Sequence, residues 1–124
     1  MCIKNYTAGG AIAKYRIVKF SADGTVVQGA AVTDLLIGVV DIPSAAVSGN
    51  RVDVVRDDLT LVELGGTVTR GDFLTADSNG KAVTAAPAAG VNNRVIGVAE
   101  VSGVSGDIVL VFVSASQVQG GGLA

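Results

Sequence analysis

One sequence pattern occurs twice, and this constrains the fold more than any other feature. Ile37–Ile42 reads IGVVDI, and Ile96–Val101 reads IGVAEV. A Ser-Gly pair then opens a second apolar segment in each copy, at Ser48–Val54 and at Ser105–Val111. A repeat this short cannot bury its own hydrophobic side, so the two copies are expected to pack together into one unit.

The segments between the glycines have the composition of β-strands. Tyr15–Phe20 is rich in branched and aromatic residues, and Asp23-Gly24 follows it as a turn signal. In Arg51–Arg56 apolar and charged residues begin by alternating, and Asp57-Asp58 predicts a two-residue hairpin turn into Leu59–Leu64. The sequence therefore predicts an all-β fold, a small β-barrel or sandwich built from two similar halves, with little helix and flexible termini.

The segment Asp107–Ser114 (DIVLVFVS) is apolar on both faces of a strand. Ile108, Leu110 and Phe112 lie on one face, and the valines between them lie on the other. A strand of this kind is covered on both sides, so we expect Ile108, Leu110 and Phe112 to contact another subunit or a larger partner.

The chain divides into three parts by composition. Residues 1–10 are expected to form an N-terminal arm that pairs with a neighbour, through Met1, Cys2, Ile3, Lys4, Asn5 and Tyr6. Residues 11–116 form one β-rich domain that holds the repeat, at about 15–56 and 72–113. Residues 117–124 (QVQGGGLA) are expected to form a flexible C-terminal tail.

Charge and residue types exclude several functions. Nine basic and eleven acidic residues give a net charge of −2 without a basic cluster, so no nucleic acid is expected as a partner. With no histidine and one cysteine, no metal and no cofactor is expected. No signal peptide is visible, and the longest apolar run is far shorter than a bilayer span, so no membrane partner is expected.

Catalysis is poorly supported, because the usual base and nucleophile are missing. One alternative is a carboxylate-dependent hydrolase, which requires Asp53, Asp57, Asp58 or Glu63 to converge in a pocket. A charged, solvated strand edge explains the same residues without chemistry. We therefore expect no enzyme activity and no small-molecule substrate.

The chain resembles the capsid cement proteins, or head decoration proteins, of tailed phages. The resemblance is strongest in the stretch GGTVTRGDFLTADSNGKAV at Gly65–Val83 and covers nearly the whole chain. The other segments that carry it are Tyr6–Gly9, Tyr15–Phe20, Ala85–Gly90, Asn92–Ala99 and Ser105–Asp107. These motifs are turns and glycines, and the family has no catalytic residues to carry over.

The resemblance implies a structural virion protein, made in the cytoplasm of a host bacterium and placed on the outer surface of an icosahedral head. It implies homotrimers that bind the major capsid protein where neighbouring capsomers meet. Another phage structural module of the tail or spike, or a carbohydrate-binding adhesion domain, remains the alternative. The scarcity of aromatic residues argues against sugar binding.

Overall fold

The computed structural model describes residues 2–42 and 44–119 of the chain. These residues form nine strands and no helix. The strands are β1 (Cys2–Ala8), β2 (Ile17–Ala22), β3 (Thr25–Gln28), β4 (Leu36–Val40), β5 (Arg51–Glu63), β6 (Phe73–Ala76), β7 (Ala82–Thr84), β8 (Asn92–Ala99) and β9 (Ile108–Gln119). The predicted all-β class is confirmed.

The first five strands close into a barrel. They are hydrogen-bonded in the order β1-β3-β2-β4-β5, and β1 also pairs antiparallel with β5, which closes the ring. Strands β9, β8, β6 and β7 extend the sheet from the other end of β5. A parallel bridge between Leu64 and Ala82 then brings β7 back beside the end of β5.

The two halves of the chain repeat the same structure, as predicted. We call residues 2–56 the first half and residues 57–119 the second half. The bridge between Ile12 and Ala46 in the first half recurs as Val68 with Gly103 in the second. Tyr15 and Gly71, which correspond, both have a positive φ, of 60° and 92°. The shared backbone geometry shows that the repeat is structural and not only a likeness of sequence.

Gly38 and Gly97 explain why the repeated pattern contains glycine. A Cβ on Gly38 would collide with the carbonyl oxygen of Val55, and a Cβ on Gly97 would collide with that of Phe112. Neighbouring strands approach too closely at these two points for any side chain. The same close approach therefore recurs in each half.

Two parts of the predicted organisation differ from the structure. Asp57 and Asp58 do not form a hairpin turn, because β5 continues through them as one strand that pairs with β1 on one stretch and with β9 on the next. Residues 2–8, predicted as an arm for a neighbour, form β1 of the chain's own barrel. This segment pairs with β5 along its length, and only Thr7 and Ala8 also pair with β3.

The C-terminal segment also extends the sheet further than expected. Gln117–Gln119 belong to β9 and pair with the start of β8. The rest of the predicted tail, residues 120–124, lies outside the described residues, as does Met1.

The core consists of two buried clusters. The first fills the barrel of the first half with residues such as Tyr6, Ile12 and Val54. The second fills the second half with residues such as Leu64, Leu74 and Val111, and it also includes Ile17, Leu36, Val39 and Val55 from the first half. The two halves are therefore joined by apolar packing as well as by β5.

Candidate interaction surface

Strand β9 separates its two apolar rows, as its sequence predicts. Val111 and Val113 are fully buried and Val109 nearly so. Ile108, Leu110 and Phe112 point away from the core and remain 47%, 37% and 40% exposed. Within residues 2–42 and 44–119, nothing fully covers this second row.

The exposed row of β9 belongs to a larger patch. Phe112 is paired with Leu59 and Leu110 with Leu61 across β5 and β9, while Phe73 is linked to Phe112 through Val98 of β8. We call this patch the apolar face. Its members are Leu59, Leu61, Phe73, Ile108, Leu110 and Phe112, all exposed. A shallow cavity of about 260 Å³ lies between Phe73 and Phe112.

The corresponding surface of the first half carries polar side chains. Where the second half pairs Leu61 with Leu110, the first half pairs Asn5 with Asp53, and their side chains are hydrogen-bonded at 3.1 Å. Arg51, which corresponds to Ile108, donates hydrogen bonds to Asn5 and to Thr7 at 2.7 Å. At three of the six positions of the apolar face the first half thus has polar residues, Asn5, Arg51 and Asp53, and the fold does not require apolar side chains there. At the other three positions the first half has Ile3, Ile17 and Val55.

The predicted N-terminal contact residues lie on β1 of the first half. Ile3 is 40% exposed and pairs with Val55, whereas Tyr6 is buried in the barrel core. Lys4 and Asn5 are exposed. Cys2 begins β1, and Met1 lies outside the described residues. The sequence-predicted contact residues therefore occupy two surfaces of the protein.

A second surface, which sequence reasoning missed, is a cavity of about 640 Å³ at one end of the first barrel. We call it the barrel mouth. The residues that line it are Lys4, Tyr6, Phe20, Ser21, Ala22, Asp23, Gly24, Leu35 and Arg56. An alignment of the two copies of the repeat could have indicated the barrel mouth. Phe20 and Arg56 are large residues where the second copy has the smaller Ala76 and Val113.

Cations and aromatic rings are combined at the barrel mouth. Arg56 donates a hydrogen bond of 2.7 Å to the Tyr6 hydroxyl, and its guanidinium lies 5.7 Å from the centre of the Phe20 ring. Lys4 Nζ lies 4.5 Å from the centre of the Tyr6 ring. Phe20 and Leu35 remain 37% and 52% exposed. The mouth offers an apolar floor with a cationic rim.

The four carboxylates that the hydrolase alternative needs do not converge. Asp53 and Glu63 lie near opposite ends of β5, and a strand rises by about 3.3 Å per residue. Within residues 2–42 and 44–119, no three His, Cys, Asp or Glu side chains lie close enough together to hold a metal ion. In the same residues no helix could span a membrane.

Glu63 has a structural role in this geometry. Its two carboxylate oxygens lie 3.1 Å from Arg16 and 3.2 Å from Lys81, which joins the first half to the second. Burial raises the pKa of Glu63, but the hydrogen bonds and positive charges of Arg16 and Lys81 outweigh it, so its pKa lies below the usual value. The two cations therefore favour the ionised form of this carboxylate.

Comparison with known proteins finds a shared fold but no family. The structure is similar to the crystal structure of the head fiber gp8.5 N base in bacteriophage phi29, with a TM-score of 0.66 over 91% of this chain and 93% of that chain. The two sequences are 21% identical. No protein-family model and no curated protein matches the chain.

Proposed function

We propose that this protein is a structural component of a tailed-phage virion. It attaches to the outer surface of the head, binds the major capsid protein and stabilises the shell by bridging neighbouring capsomers as a trimer. It acts without catalysis, cofactor or nucleic acid, and it is made in the cytoplasm of the host bacterium.

The observation that carries the proposal is the similarity of nearly the whole fold to the base of a phage head fiber. The cement-protein motifs quoted above, which cover most of the chain, point independently to the outside of a phage head. Two unrelated kinds of likeness, one of fold and one of sequence motif, thus favour the same location.

The apolar face supplies the contact between subunits in this proposal. Its six side chains are each 37–49% exposed. Because fully burying one large apolar side chain contributes about 1.5–3 kcal/mol, covering what remains exposed contributes about 4–8 kcal/mol per face. Part of this is offset by the entropy lost on association. Association of several copies then multiplies weak contacts with the shell through avidity.

The test is co-sedimentation with heads assembled without this protein. We expect the added protein to saturate the heads at a whole number of trimers, located where three capsomers meet, and decorated heads to survive heating longer than bare heads. Heads of an unrelated phage serve as the control and should bind none. Absence of binding to the cognate heads would refute the proposal and favour the tail or spike alternative.

A second candidate is the base domain of a longer head fibre, because the similar phi29 structure is that of a head fiber N base. The mass of the protein extracted from particles separates the two. A mass of 12.3 kDa, that of the present chain, supports a decoration protein. A much larger mass supports a fibre base.

A further inference from the structure

The contact between the two halves suggests how one copy contacts the next. Ile17, Val39 and Val55 form a row across β2, β4 and β5 on the outer surface of the first barrel. All three are almost completely buried, because they pack into the core cluster of the second half. The outer row of one half is thus covered by the other half.

This row packs against one end of the second half, which we call the seat. The Ile17 amide donates to the Gly80 carbonyl at 2.8 Å, and the Arg94 amide donates to the Val32 carbonyl at 2.7 Å. Gly29, next to β3, lies against the Ala76 side chain. The seat therefore includes Ala76, Gly80 and Arg94.

The repeat places an equivalent row and an equivalent seat elsewhere on the molecule. Phe73, Val98 and Phe112 correspond to the buried row and are joined by the same strand pairings. They belong to the apolar face or border it, and Phe73 is 49% exposed.

The equivalent seat is the barrel mouth. Counting back 56 residues from Ala76 and Gly80, and 59 from Arg94, gives Phe20, Gly24 and Leu35. All three line the open cavity at the end of the first barrel. Within the chain, the outer row of the first half packs against the end of the second half. The equivalent row of the second half and the equivalent end of the first half both remain exposed.

We infer that the apolar face of one copy packs into the barrel mouth of a second copy, head to tail. This continues between chains the packing that joins the two halves within a chain. Such a contact uses two different surfaces, so repeated copies close into a ring when the rotation permits. Two apolar faces packed against each other would instead form a closed dimer.

The available surface is large enough for a specific contact. Six side chains that each leave about 40–50% of roughly 200 Å² uncovered present about 500 Å². To reach the roughly 1,000 Å² at which specific interfaces begin, the partner must cover this face with an equal area, which extends beyond the residues that line the mouth. The ion pairs of the internal contact do not recur, because Thr7 stands where the second half has Glu63.

The inference rests on the proposed function only in that copies associate, and its test uses purified protein without heads. The face variant is Phe73→Lys and the mouth variant is Leu35→Lys; both positions are about half exposed. Val104→Lys, at an exposed apolar position outside both surfaces, is the matched control. Sedimentation equilibrium over a concentration series measures the size of the assemblies.

We expect the wild-type protein and the control to form a closed oligomer, and each variant alone to associate at least about tenfold more weakly. In a mixture of the two variants, the intact face of Leu35→Lys can pack into the intact mouth of Phe73→Lys. The result should be a dimer that adds no further copies, because its two remaining surfaces both carry a substitution. This dimer also shows that both variants are folded, as do their unfolding curves. A monomeric wild type, or a mouth variant that assembles normally while the face variant does not, would overturn the inference. A failure of head binding with this result intact would overturn only the proposed function.

Discussion

Replacing Gly97 by alanine is expected to destabilise the protein strongly, although it adds a single methyl group. The new Cβ would collide with the Phe112 carbonyl oxygen and would lie 3.0 Å from the Cα of Val113. Both atoms belong to the backbone of β9, which cannot rotate away as a side chain can. Strands β8 and β9 must therefore move apart at this point.

The magnitude follows from what such a movement disrupts. One or two hydrogen bonds between β8 and β9 are lost or lengthened, at about 1 kcal/mol each. The buried neighbours Ile96 and Val113 must also shift, and overpacking of this kind costs about 1–3 kcal/mol. The free energy of unfolding should therefore fall by about 2–5 kcal/mol, a large part of the stability of an ordinary domain.

Gly66→Ala is the matched control for this variant. Its Cβ would meet only the side chain of Val83, at 3.7 Å, so its free energy of unfolding should change by less than about 1 kcal/mol. Denaturant unfolding of the wild type and both variants measures the difference. If Gly97→Ala lies within about 1 kcal/mol of Gly66→Ala, the close approach of the strands is not what requires glycine, and the reasoning fails.

Three further predictions concern single contacts. The pKa of Glu63 lies below its usual value of 4.5, so the contribution of Glu63 to stability is present above that pH and is lost as the pH falls below it. Acidification should therefore destabilise the Glu63→Gln variant less than the wild type, by about 1 kcal/mol or less. Unfolding curves at several pH values measure this difference. The pKa of Asp34 is also lowered, because burial raises it but hydrogen bonds from Ala30 and Lys19 outweigh burial. The Glu63→Gln variant should therefore keep some sensitivity to acid. The hydroxyl of Thr75 is buried with no hydrogen-bond partner among the described residues, so Thr75→Val should raise the denaturation midpoint by an amount equal to about 1 kcal/mol, and a lower midpoint would contradict this. Tyr6→Phe removes the hydrogen bond from Arg56 and should lower the free energy of unfolding by about 1 kcal/mol in the same assay.

The repeat could be predicted from the sequence because its signal lies in turns and close contacts. The turn at Gly24 and Gly80 and the close approach at Gly38 and Gly97 restrict the residue type in each copy, so the same residues appear twice. The two-faced pattern of β9 could also be predicted, since alternation depends only on neighbours along the chain.

What could not be predicted depends on pairings between distant residues. Strand β1 resembles its counterpart at the end of β5 very little, because the exposed Asn5 of β1 corresponds to Leu61 of the apolar face. For the same reason Leu59 and Leu61 were not recognised as neighbours of Phe112, since the register between β5 and β9 is not visible in the sequence. Asp57 and Asp58 were misread as a turn, because acidic residues are typical of turns and only the partner strands keep β5 extended.

The residues that differ between the two halves are as informative as those that repeat. Where the second half is covered by the first, it has the small side chains of Val62, Ala76 and Val113, all fully buried. At the corresponding positions the first half has Tyr6, Phe20 and Arg56. Larger side chains narrow the end of a barrel that no second half covers, and Arg56 there donates a hydrogen bond to the hydroxyl of the buried Tyr6. Aromatic residues and arginine are also enriched in interfaces between proteins. A mouth built from such side chains can be exposed in a free subunit and covered in an assembly, which is the property that head-to-tail association of identical copies requires.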